Sequence, residues 1–302
     1  GSMDQNKCVA LLTAIDLGNL TRAAEQLGYT QSGLSYVIKT LENELGFPLL
    51  VRSRAGVRPT ENCQRILPLL REIERKNRQL EEEAADIRGL AVGTVSLATF
   101  PSISRFWLPE ILRDFAQQYP GITVSILETG QEELDECLRE GVVDLAFCSY
   151  HAETQNQWIP FLEDEIWAVV PQNHPLAGCP EVSLAQLAGE PFILEDRAYD
   201  YDISRVIREA GVHPNVRWTS KDELAILAMV RLELGVSLMP ALYLHETHPG
   251  VTVLPLTPRA HRQLGASVPD LENLSPAARR FLISAQKTMG VPRDGKAGSG
   301  QP

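Results

Sequence analysis

Gly28 ends one helical pattern, and Thr30 begins another two residues later. Residues 22–27 form the first segment, and Thr21 is placed to cap it with a hydroxyl that accepts from a free backbone N–H. Gly28 suits the positive φ of a helix end. Thr30 caps a longer helix from Gln31 to about Leu45, and Val9, Leu12, Ala14, Ile15 and Leu17 upstream suggest a helix stopped by Gly18. Two helices joined by a three-residue turn containing glycine make a helix-turn-helix. The second helix is two-faced. Leu34, Val37, Ile38 and Leu41 recur at the spacing of one buried stripe. Gln31, Ser32, Ser35, Tyr36 and Lys39 take the opposite side, and no acid appears on this helix before Glu42. Glutamine can bond adenine twice, serine can reach a base or a phosphate, and lysine neutralises phosphate. Taken alone, the same residues also fit an ordinary solvated face.

Residues 49–52 and 57–59 are short apolar segments around a turn at 53–56, which reads as a small hairpin, or wing. Arg52, Arg54 and Arg58 lie on it, and residues 45–60 contain no acid. Such a hairpin suits phosphate or minor-groove contact. The 302-residue chain carries a net charge of −11, which as an average argues against a nucleic-acid partner. The charge is unevenly placed. Residues 1–89 hold 12 basic and 12 acidic side chains, so the whole excess belongs to residues 90–302.

Residues 61–88 are helical in type. Ile66, Leu70, Ile73, Asn77, Leu80, Ala84 and Ile87 alternate spacings of four and three, an apolar heptad seam broken by one Asn. A lone polar residue in such a seam fixes register, which points to a specific dimer; a helix packed on its own domain is the alternative. Pro68 is expected to bend it near its start.

Beyond residue 90, strand-like and helix-like segments alternate. Strands are expected at 94–98, 122–127, 143–148, 166–170, 192–194, 216–219, 236–239 and 264–268. Helices are expected at 103–119, 131–139 and 276–289. That order implies a mostly parallel α/β sheet. The last strand and helix return to the first half, so two lobes joined by crossovers near 163–168 and 262–267 are expected. Ligands of open α/β folds lie at the carboxyl ends of strands. Thr99, Pro101, Ser102 and Ile103 lead into one helix, Thr129 into another, and Ser149 ends a third strand. Arg197 and Tyr199, with Ser220, face them from the second lobe. Glu195, Asp196, Asp200 and Asp202 crowd that rim against Arg197 alone, which counts against a multiply charged anion and leaves an amine-bearing or neutral ligand open.

The ordered string at 19–27, 30–35 and 38–46, followed by 49–52 and 59–61, resembles the LysR-type transcriptional regulators, and length and layout extend the resemblance over nearly the whole chain. It implies a winged helix-turn-helix domain at 3–60, a dimerising linker helix at 61–89 and a periplasmic-binding-protein-like effector domain at 90–290. Its first lobe would take in about 90–164 and 266–290, its second about 165–265. It further implies double-stranded operator DNA of palindromic symmetry, a small-molecule effector between the lobes, and a homodimer or homotetramer. RNA polymerase is a candidate partner.

Other classes find little support. There is no GxSxG, P-loop or GxGxxG sequence. His245 and His248 are three apart where a zinc-protease helix needs four, so no metal and no resident cofactor is expected. Five cysteines with no CxxC pair read as reduced thiols, no apolar run is long enough to span a membrane, and no export signal is seen, so the expected compartment is the cytoplasm. Gly1-Ser2 reads as a cloning scar and residues 292–302 as a disordered tail. The alternative function is a solute-binding module whose N-terminal helices serve only dimerisation.

Overall fold

A computed structural model describes residues 3–196 and 201–291. The chain divides after Gly93 into two compact units, the first also taking in Arg139–Val142.

The first unit begins with three short helices, α1 (Gln5–Leu17), α2 (Leu20–Leu27) and α3 (Gln31–Leu45). Gly18, Gly28 and Gly46 end them in turn, each with positive φ. Thr30 caps α3 by accepting from Gly33 N–H at 3.0 Å. The cap of α2 is Asn19, whose side chain accepts from Arg22 N–H at 3.0 Å, and not Thr21, which sits one residue inside the helix. Both residue types can cap, but the chain turns extended at Asn19, and that backbone geometry decides. Leu34, Ile38 and Leu41 are fully buried with Leu11, Ala23 and Leu49 in one core, while Val37 is half-buried. The wing follows as an antiparallel pair, β1 (Leu50–Ser53) and β2 (Gly56–Pro59), with Val51 opposite Arg58. Three bonds seat it. Val57 N–H donates to Gly18 O at 3.0 Å, Leu49 N–H to Glu42 Oε2 at 2.7 Å, and Thr60 Oγ1 to Pro48 O at 2.8 Å. α4 (Glu61–Ile87) then runs through Pro68 without interruption.

The second unit opens with β3 (Gly93–Thr99), α5 (Pro101–Phe106), α6 (Leu108–Gln118), β4 (Ile122–Glu128), α7 (Gln131–Glu140) and β5 (Leu145–Ser149). The expected helix over 103–119 is therefore two. Pro109 at the start of α6 has no N–H to continue the ladder, and the break falls at Trp107. Next come β6 (Gln157–Pro171), α8 (Leu184–Leu187), β7 (Pro191–Glu195), α9 (Asp202–Glu209), β8 (Asn215–Ser220), α10 (Glu223–Arg231), β9 (Ser237–Pro240), β10 (Val251–Val268) and α11 (Pro276–Thr288).

Six strands form one sheet in the order β4-β3-β5-β10-β6-β9, and β7 pairs with β8 in a second. The expectation of a mostly parallel sheet is corrected here. β3 pairs with β5 and β7 with β8 in parallel, but β10 runs antiparallel to both β5 and β6, and β9 antiparallel to β6. The reason is the length of β6 and β10, which pair from Pro171 opposite Val251 to Gln157 opposite Val268, with two register shifts, and so carry the chain between the lobes. α11 returns to pack beside α6, where Phe115 meets Phe281 edge-on at 5.1 Å.

Candidate nucleic-acid interface and ligand pocket

On α3, Gln31, Ser32, Tyr36 and Lys39 are exposed and Ser35 is half-buried; Thr30 is exposed at the cap. Tyr36 leaves three quarters of its surface free. Arg52, Arg54 and Arg58 are all exposed. Arg52 Nη1 lies 3.5 Å from Ser35 Oγ, so the wing stands beside the polar face of α3. Glu42, the first acid of α3, is occupied by the Leu49 amide. The result is an exposed set of polar and basic side chains on α3 and the wing.

The apolar seam of α4 divides. Leu70 is buried and Ile66 partly so, both within the core of the first unit, where Cys63 and Leu67 join them. Arg71 secures this turn by a bidentate contact to Asp16 of α1, at 2.6 and 3.3 Å. Farther along, Ile73, Leu80 and Ile87 are exposed, with Asn77 half-buried between them. So half the seam serves the unit's own core and half is an uncovered apolar row.

In the second unit a narrow pocket, open to solvent on part of its boundary, is lined by Phe100, Pro101, Ser102, Glu195, Tyr201, Asp202, Ile203, Pro240, Tyr243 and Arg262. Pro101 and Ser102 are thus the expected effector contacts that line it. Thr99, Ile103, Thr129, Ser149 and Ser220 do not. Thr99 and Ile103 are fully buried, Thr129 donates its hydroxyl to Glu133, and Ser220 Oγ accepts from Asp222 N–H at 3.1 Å. Ser149 is buried with a hydroxyl that lacks a partner. Arg197 and Tyr199 lie outside the described residues, as does the expected tail. Tyr243 and Arg262 went unseen in the sequence. Arg262 is far from the other lining residues along the chain, and no motif marks it.

Arg262 is 6% exposed, as is its partner Asp164 at 2.8 Å, which also accepts from Leu242 N–H at 3.0 Å. Asp164 and Arg262 face each other in the β6–β10 register, so the ion pair is built into the ladder that joins the lobes. Tyr243 sits over the same pocket. Burial above all, then the Glu223 and Glu195 carboxylates, push its phenol far above the usual range, so it remains a neutral O–H. His248, one of the two histidines near the end of this segment, lies 3.1 Å from Tyr243 O through Nε2 and Glu246 pairs with Arg105 at 2.9 Å, so both are engaged within the fold. No helix among the described residues is long and apolar enough to cross a membrane.

Comparison with known proteins fits this geometry. Residues 6–64 match the family described as bacterial regulatory helix-turn-helix protein, lysR family, and residues 88–290 match the LysR substrate binding domain. The chain is 32% identical over 284 residues to the probable HTH-type transcriptional regulator LrrA of Synechococcus elongatus, covering 92% of this chain and 95% of that one. It is 28% identical over 279 residues to an uncharacterized HTH-type transcriptional regulator, YvbU, of Bacillus subtilis, covering 91% and 95%. In fold it resembles a full-length OxyR variant from Pseudomonas aeruginosa, with a TM-score of 0.78 at 21% identity and full coverage of both chains. It also resembles CbnR complexed with its target DNA, with a TM-score of 0.64 at 21% identity over 95% of this chain and all of that one. A winged helix-turn-helix followed by a two-lobed α/β domain, each matching its own family model, shows that this chain belongs to the LysR family of transcriptional regulators.

Proposed function

We propose that α3 and the β1–β2 wing grip a palindromic double-stranded operator, that α4 pairs with α4 of a second copy, and that a small-molecule effector in the pocket sets the regulator's state. The observation that carries the reading is the adjacency of the exposed Gln31–Lys39 face to a wing with three exposed arginines. In this reading residues 3–60 bind DNA, 61–89 form the linker and 90–290 the effector domain. The assembly is a homodimer or a homotetramer of such dimers, working in the cytoplasm, with RNA polymerase as a further partner. The solute-binding alternative gives the acid-free wing and the exposed Tyr36 no role. An effector acts only if it binds the two states unequally, and the pocket takes Arg262 from β10, one strand of the ladder that joins the lobes.

Binding to DNA fragments at two salt concentrations tests the contacts. Lys39→Ala and Arg54→Ala are each expected to weaken binding across sequences and to lower the salt slope by about one for each phosphate no longer neutralised. An unchanged slope in both would remove these residues from the interface.

A further inference from the structure

The ligand pocket combines two sets of polar groups. The first set is of donors. Ser102 is fully buried, its Oγ facing the Tyr243 hydroxyl without an aligned hydrogen bond. Arg262 spends its Nε–H on Asp164 at 2.8 Å, and its Nη2, though close to the same carboxylate, has no aligned hydrogen bond. The second set is acidic. Glu195 and Asp202 line the pocket, Asp202 being 5% exposed beside Arg205 at 3.3 Å. Glu223 at the start of α10 is buried, its Oε1 has no partner, and its charge acts on the Tyr243 hydroxyl, which lines the same pocket. The walls between are Phe100, Pro101, Ile203 and Pro240.

Arg262 Nη2 and Glu223 Oε1 are buried without an aligned partner, which is costly, and a ligand carrying both charges complements the donors and the acids together. A simple carboxylate satisfies Ser102 and Arg262 but brings a negative charge among Glu195, Asp202 and Glu223, with Arg262 already facing Asp164. An amine alone leaves the donors unmet. We propose that this pocket takes a small zwitterion of the amino-acid type, its carboxylate on Ser102 and Arg262, its ammonium toward Glu195 and Asp202 with the Glu223 charge behind them, and its side chain against the apolar walls. The proposal rests on the reading of this pocket as the effector site and names the ligand class.

The test is calorimetry and thermal shift on the full-length protein with three matched probe series. These are the common L-amino acids, the same skeletons without the amine (propionate, isocaproate, hydrocinnamate), and the same skeletons without the carboxylate (ethylamine, isoamylamine, phenethylamine). At least one amino acid is expected to bind, and its deaminated twin to bind about tenfold more weakly or worse, as loss of a charged hydrogen bond implies. Glu195→Gln should weaken the amino acid by a similar factor while sparing any carboxylate, and Ser102→Ala should weaken both, with unliganded melting curves showing that each variant folds. Carboxylates that bind as well as amino acids, or an amino acid indifferent to Glu195→Gln, overturn the zwitterion. If their binding still needs Ser102, the effector pocket itself stands. Amines binding as well as amino acids overturn the carboxylate half. An amino acid whose affinity survives both Ser102→Ala and Tyr243→Phe binds elsewhere and overturns proposal and pocket together. No binding by any amino acid overturns the zwitterion.

Discussion

A methyl group on Gly56 would meet the carbonyl oxygen of Gly18 at 2.0 Å, and its φ of +122° is itself a conformation that side chains resist. The wing therefore lies tight against the end of α1 only because that position is glycine. Cysteines show the same dependence of one residue on its surroundings. Cys8 and Cys63 are fully buried in the core of the first unit, and burial pushes both thiols up to about 11 from an ordinary 9.0. The folded chain then holds these protons more tightly than the unfolded one. Their contribution to stability is full below pH 9 and is lost as pH rises from 9 through 11. The melting temperature should fall over that window, and Cys8→Ala/Cys63→Ala should make the fall shallower. Alkylation at pH 8 with mass-spectrometric readout should reach half-buried Cys137 and Cys179 well before Cys8, Cys63 or Cys148. Rapid labelling of Cys63 in the folded protein would contradict this account. Of the single residues singled out in the sequence, glycine stops and hydroxyl caps were legible because a helix end is a local event. The choice of Asn19 over Thr21 was not, since both can cap and only the backbone shows which stands outside the helix.

At the scale of elements, α4 shows most plainly how one apolar pattern serves two purposes. Its heptad spacing was visible, but spacing alone does not say what covers each residue. Ile66 and Leu70 turn out to be used by α1 and its neighbours, whereas Ile73, Leu80 and Ile87 stay exposed in the single chain. Leu80→Glu should therefore convert a dimer to a monomer in sedimentation experiments while leaving the helical signal of the N-terminal unit nearly unchanged, because Leu80 is two-thirds exposed in the single chain. A variant that stays dimeric would place the interface elsewhere. Two other elements differ from expectation for one reason. β6 and β10 run well beyond the stretches expected from sequence, 166–170 and 264–268, and take in Pro160, Pro255 and Pro258, a residue type that cannot donate to a ladder. In the fold these prolines fall at the register shifts, between Pro255 and Ala260 and beside Gly265, where no ladder bond is required of them.

For the whole molecule, the crossing of β6 and β10 is where local rules give way to long-range ones. Gly265 lets the strands approach closely, since a Cβ there would lie 2.1 Å from Ile159 O, and Asp164 and Arg262 pair next to it with almost no water. Breaking such a pair leaves one buried charge alone, so Asp164→Ala should cost about 3–5 kcal/mol in denaturant unfolding, and more than the double replacement of both partners. Additive losses would mean the two charges do not depend on each other. The net charge of −11 belongs at this scale too. The excess lies in residues 90–302, and the acids lining the pocket are part of it. The amino-acid sequence by itself determined the helix-turn-helix, the acid-poor wing, the heptad spacing of α4 and the α/β alternation with its return strand, because caps, glycine stops and apolar periods act between near neighbours. Only the tertiary structure decided which half of the α4 seam is free, that Thr129 spends its hydroxyl on Glu133, and that Ser102, Glu195, Tyr243 and Arg262 share one pocket. Those outcomes depend on which distant groups come close enough to hydrogen-bond or to exclude water, and separation along the chain carries no record of that.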